Sequence, residues 1–72
     1  MPKLPIISGS DAVKAFERAG WRVSRQRGSH VVMIKEREIA SLSIPQHKEL
    51  APGTLRSLIR CAGMSIEEFI NL

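Results

Sequence analysis

Residues 21–45 read WRVSRQRGSHVVMIKEREIASLSIP, and this run decides the fold. Its centre, His30 to Lys35, holds Val31-Val32-Met33-Ile34, which is apolar on both faces and partly β-branched, as suits a central strand. Upstream, Trp21 and Val23 alternate with Arg22 and Ser24, which predicts a first strand with one apolar and one polar face. Arg27-Gly28-Ser29 supplies the turn between the two. Downstream, Lys35-Glu36-Arg37-Glu38 predicts a charged hairpin tip, without the Asn-Gly or Asp-Gly pair of the tightest turns. Ile39 to Ile44 then returns as a third strand. Ala40, Leu42 and Ile44 share one of its faces, Ser41 and Ser43 the other, and Pro45 stops it.

Helical patterns flank this run. Ser8-Gly9-Ser10-Asp11 has the spacing of a capping box, and Val13, Phe16 and the alanines at 12, 15 and 19 make an apolar face. Gly20 can take the left-handed conformation that ends a helix, so a helix is predicted over about Gly9 to Ala19. After the strands, Pro52 stands where a first-turn proline is tolerated. Leu55, Leu58, Ile59 and Ala62 recur at helical spacing up to Gly63. Ser65-Ile66-Glu67-Glu68 is a second capping box, with Met64 placed to staple onto Phe69. The expected fold is α+β in the order α-β-β-β-α with a short final helix. Short connections imply a three-stranded antiparallel sheet with the helices on one face and the other face free. Residues 1–72 make one domain, with residues 1–7, marked by Pro2 and Pro5, as an extended lead-in.

Composition narrows the function. The 72 residues leave room for one small domain, and a single cysteine allows neither an internal disulfide nor a cysteine-based zinc site. The segment Met1-Pro2-Lys3-Leu4-Pro5 lacks the apolar run of a signal peptide, and no stretch approaches the roughly 20 apolar residues of a membrane span. A reducing, cytoplasmic setting is expected. Eleven Lys and Arg against seven Asp and Glu give a net charge of +4. Between Arg18 and Arg37, six cations face Glu36 alone, a local balance of +5. Such a segment suits a polyanion, or an acidic protein partner, and equally describes a solvated basic surface.

Most sources of chemistry fail on spacing. Glu36 and Glu38 sit at a hairpin tip, and Glu67 and Glu68 belong to a capping box, so no carboxylate pair looks held across a cleft. His30 and His47 are far apart in sequence with no Asp or Glu at ligand spacing, so no metal and no cofactor is expected. Gly53-Thr54 could offer backbone N–H groups to an anion, but ordinary helix initiation accounts for it. Cys61 lies beside an apolar stripe and Trp21 on an apolar strand face, where packing explains both.

The histidines remain. Imidazole exchanges protons near neutral pH, and His30 follows Gly28-Ser29 amid Arg22, Arg25 and Arg27, where a phosphodiester would be drawn. RNA cleavage needs little more, since the 2′-OH can attack its own phosphate once a base takes its proton or an acid protonates the departing oxygen. Residue type alone leaves His30 either such a group or an ordinary surface residue. His47 could be a second proton-transfer group or a loop residue.

Together, Gly20-Trp21, Arg25-Gln26-Arg27-Gly28-Ser29-His30, Ile44-Pro45-Gln46-His47, Lys48-Glu49-Leu50, Pro52-Gly53-Thr54-Leu55, Ala62-Gly63-Met64-Ser65 and Glu67-Glu68-Phe69 form an ordered set. In these motifs and spacings, from about Ser8 to Leu72, the chain resembles the HicA (YcfA-like) family of bacterial and archaeal mRNA interferase toxins. The resemblance implies a fold like that of double-stranded-RNA-binding domains and ribosome-independent cleavage of mRNA. It also implies that the histidine of the Gly-Ser-His motif, here His30, is catalytic, and that a HicB antitoxin covers it. Arg22, Arg25, Arg27, Ser29 and Lys35 are then the expected contacts to single-stranded RNA, with His47 and Lys48 as secondary candidates. The Lys35 to Glu38 hairpin lacks the Pro-Asp-Gly turn common in the family, and Met33 stands where an aromatic is frequent.

Two readings compete with this one. A non-catalytic RNA-binding module would recognise A-form shape through phosphate and 2′-OH contacts. Such domains usually carry a Lys-rich start to the last helix, whereas here it reads Leu50-Ala51-Pro52-Gly53-Thr54-Leu55. A degenerate toxin kept as a regulatory partner would not need His30.

Overall fold

The computed structural model describes residues 3–72; Pro2, expected to open the lead-in, lies outside them. Six elements follow in the expected order: α1 (Gly9–Arg18), β1 (Arg22–Arg27), β2 (His30–Ile34), β3 (Leu42–Pro45), α2 (Pro52–Cys61) and α3 (Ile66–Ile70). The strands form one antiparallel sheet in the order β1-β2-β3.

Local chemistry fixes the helix ends. The Ser8 hydroxyl accepts the Asp11 N–H at 3.0 Å, which satisfies one orphan donor of the first turn of α1. At α3 the capping box is complete. Ser65 Oγ accepts from Glu68 N–H at 3.1 Å, and Glu68 Oε1 accepts from Ser65 N–H at 2.8 Å. By contrast α2 starts at Ala51 and Pro52 without a side-chain cap.

The core lies between the helices and one face of the sheet. Val31 and Met33 of β2 and Leu42 and Ile44 of β3 point into it, against Ala12, Ala15 and Phe16 of α1 and Leu55, Leu58 and Ile59 of α2. Phe69 closes it from α3, its ring 5.1 Å from that of Phe16 and tilted by 51°. Ile7 and the first residue of α1 are held by backbone bonds. Leu50 N–H donates to the Ile7 carbonyl at 2.8 Å, and Gly9 N–H donates to the His47 carbonyl at 2.9 Å. Gly9 must be glycine for a packing reason. A Cβ there would overlap the Pro45 carbonyl oxygen and come within 2.9 Å of Gln46 Cα. This contact seats the start of α1 on the end of β3.

Three expectations are corrected. Trp21 does not belong to the first strand. It precedes β1 and is 2% exposed in the core, while Val23 in the edge strand is 46% exposed. The third strand begins at Leu42, not Ile39. The register would pair Ala40 with Lys35 and Ile39 with Glu36, but Lys35 to Glu38 has already turned, with Glu38 N–H bonded to the Lys35 carbonyl at 3.1 Å and Arg37 at φ 69°. Ile39 is therefore left fully exposed, at 105%. Cys61 is exposed, not packed, because the buried stripe of α2 runs through Leu55, Leu58 and Ile59.

Candidate nucleic-acid interface

Pairing in an antiparallel sheet places opposed residues on the same face. Arg27 pairs with His30, Arg25 with Val32 and Arg22 with Ile34, all on the face away from the helices. A regular strand could not achieve this, because residues 22 and 25 would alternate to opposite sides. The register shifts between Val23 and Arg25, so Ser24 is the extra residue of a β-bulge. That bulge is what gathers Arg22, Arg25 and Arg27 on the open face.

The β1–β2 hairpin positions His30. Gly28, at φ 58°, is the first of its two central residues, and Ser29 has no positive φ, which is the φ pattern of a type II′ turn. Gln26 Nε2 donates to the Gly28 carbonyl at 3.1 Å, bracing the turn from its own strand. On the other side, Gln46 N–H donates to the Ser29 carbonyl at 2.7 Å and His30 pairs with Pro45. His30 is thus held at a backbone junction of all three strands, with its side chain exposed.

Around it lies a depression of about 420 Å³, lined by Arg25, Arg27, His30, Val32, Ser41 and Ser43. Two guanidinium groups and an imidazole share it, and no carboxylate lines it. Guanidinium presents a planar fork of donors suited to phosphate oxygens. A phosphodiester drawn to Arg25 and Arg27 would therefore lie beside the His30 imidazole. Ser41 and Ser43 were legible only as the polar face of the third strand. Their place beside His30 depends on the β2–β3 register, in which Val32 pairs with Ser43.

The other expected residues scatter. Ser29 is exposed in the turn beside His30. Lys35 follows β2 on the helix side, lining a separate depression with Ala19, Ala62, Gly63 and Met64. Its chain passes so close to Gly20 that a Cβ there would lie 3.3 Å from Lys35 Cε. Lys35 is therefore not brought to the His30 depression. His47 and Lys48 are exposed in the loop beyond Pro45. The His47 carbonyl accepts from Gly9 N–H at the start of α1. Among the described residues, no group of three His, Cys, Asp or Glu converges as a metal site, and no helix is long and apolar enough to cross a membrane.

Comparison with known proteins agrees with this architecture. The model of the family described as "HicA toxin of bacterial toxin-antitoxin" matches residues 9–64. Among solved structures, a chain of a toxin–antitoxin complex from Streptococcus pneumoniae is similar, with a TM-score of 0.71 and 32% identity. The alignment covers 81% of this chain and 98% of that one. No curated protein matches.

Proposed function

Since the chain belongs to the HicA toxin family of bacterial toxin–antitoxin systems, we propose that it is an mRNA interferase that cuts single-stranded mRNA in the cytoplasm with His30 as its catalytic residue. The observation that carries this reading is the joint placement of His30, Arg25 and Arg27 in one carboxylate-free depression on the open sheet face.

The chemistry follows from the groups present. Arg25 and Arg27 bind the scissile phosphate and the one next to it, and Arg22 and Ser29 extend that contact along the strand. The 2′-oxygen forms a bond to phosphorus while the bond from phosphorus to the 5′-oxygen breaks. One proton leaves the 2′-OH and one reaches the departing 5′-oxygen. His30 carries one of these transfers, and the other falls to water or to a second group such as His47. Charge building on the phosphorane oxygens is met by the guanidinium groups in place before reaction. Lys35, on the helix side, adds to the attractive field but not to the contacts. The step needs no metal, so the enzyme is metal-independent in this reading.

An antitoxin of HicB type is the proposed partner. The related chain from Streptococcus pneumoniae comes from a toxin–antitoxin complex. The sheet face bearing His30 is the one the helices leave open, so a partner that covers it silences the enzyme directly.

End-group analysis of RNA digested in excess chelator tests the mechanism. Ends bearing 2′,3′-cyclic phosphate are expected at undiminished rate. Lost activity in chelator, or 3′-hydroxyl ends, would refute it, and binding without cleavage would favour the non-catalytic module.

A further inference from the structure

Beside the His30 depression runs a second groove of about 580 Å³, between β3 and α2. The two share a wall made of Ser41 and Ser43. We propose that this groove is a nucleotide subsite, holding the base and ribose of the RNA nucleotide next to the cut dinucleotide. The proposal rests on the endoribonuclease reading above.

The two cavities differ in chemistry as the two parts of a nucleotide differ. The first holds Arg25, Arg27 and His30 and suits phosphate. The second is lined by no charged residue at all. Leu42 and Leu58, both buried, give it an apolar floor for a ring face. Ser41, Ser43, Thr54 and Ser57 give it hydroxyls along the walls. A hydroxyl donates and accepts, so this set can meet base edges and a ribose 2′-OH. An apolar concavity with a few convergent polar groups, in the size range of small-molecule sites, is what a nucleoside needs. The mouth is open at Gly53, where a Cβ would meet nothing within 4 Å. An RNA strand anchored by its phosphate at Arg25 and Arg27 can therefore pass over the Ser41–Ser43 wall and lay its next base in the groove.

The chain's single cysteine provides the test, because Cys61 is exposed and lines this groove. Benzyl methanethiosulfonate places a ring there as a mixed disulfide that dithiothreitol removes. The readout is the ratio of kcat/KM for a hexanucleotide with one cleavable ribose linkage to that for the cut dinucleotide alone. Taking about 60 Å² of apolar base surface out of water corresponds to roughly tenfold in binding. The unmodified protein should therefore favour the hexanucleotide by about that factor. The adduct should lose most of this preference, and dithiothreitol should restore it. Affinity for an uncleavable all-deoxy hexanucleotide should fall in parallel. A ratio and an affinity unchanged by the adduct would overturn the subsite and leave the endoribonuclease reading standing. So would an adduct that only relieves inhibition by the antitoxin, which would make the groove a protein contact. If neither substrate is cut but the adduct still weakens hexanucleotide binding, the groove stands and the endoribonuclease reading falls.

Discussion

Neutralising the arginines of β1 one at a time should flatten the salt dependence of RNA binding in equal steps. The β-bulge at Ser24 places Arg22, Arg25 and Arg27 on one face, so three phosphate contacts are expected. Each releases counterion equivalent to a slope of about −0.7 on a single strand, giving about −2.1 in all. Raising salt from about 50 to 200 mM should then weaken binding roughly 18-fold. For Arg25→Gln the slope should fall to about −1.4 and the loss to roughly sevenfold. Arg22→Gln should do the same, although alternation without a bulge would put Arg22 and Arg25 on opposite faces, with Arg25 turned towards the helices. Lys35→Gln should change the slope less, since Lys35 lines the helix side near Gly20. Fluorescence anisotropy with a labelled, uncleavable single strand gives these slopes directly. Equal effects of Lys35→Gln and Arg25→Gln would show that only net charge matters. The facing assigned to the arginines would then carry no functional meaning.

Two more outcomes follow from particular contacts. Gly9→Ala forces a Cβ onto the Pro45 carbonyl and should cost about 1–3 kcal/mol, seen as a melting temperature lower by roughly 5 °C or more; an unchanged melting curve would contradict the close seating of α1 on β3. Acylation by diethyl pyrocarbonate, followed residue by residue by mass spectrometry, should modify exposed His30 in the free protein and spare it in the antitoxin complex. Equal modification of His30 in an inhibited complex would place the partner elsewhere.

Much of this was legible where one local signal sufficed. Ser8, Gly20 and the Ser65–Glu68 box mark helix ends through their own side-chain or backbone chemistry, and the apolar run of β2 marks a central strand. Signals that depend on pairing were not legible. Nothing in the alternation Arg22-Val23-Ser24-Arg25 announces an extra residue, because a bulge exists only relative to the partner strand. The late start of β3 has the same origin. Ile39 and Ala40 have strand-like residue types, but their ladder partners Lys35 and Glu36 are spent in the turn. At the site, charge and residue type draw attention to His30 and its arginines, but only the family resemblance of the ordered motifs gives His30 a catalytic role. Ser41, Ser43 and the groove beneath them needed the register and the position of α2, both set by tertiary packing. Lys35 belongs to the basic segment by charge, but strand parity turns it to the helix side, away from the His30 depression.

In the proposed mechanism His30 performs the chemistry while contributing little to the fold. It is exposed at the start of β2 and absent from the core, so His30→Ala should fold with a melting temperature close to that of the parent. Removing a general acid or base should lower the cleavage rate by about 10²–10⁴-fold. The direct measurement is mRNA integrity and growth after induction of the parent and of His30→Ala, with His30→Gln as a second variant that keeps polar bulk. Intact mRNA and unimpaired growth with both variants, each folded, is the result expected. Degradation of mRNA by a folded His30→Ala protein at the parental rate would contradict the account.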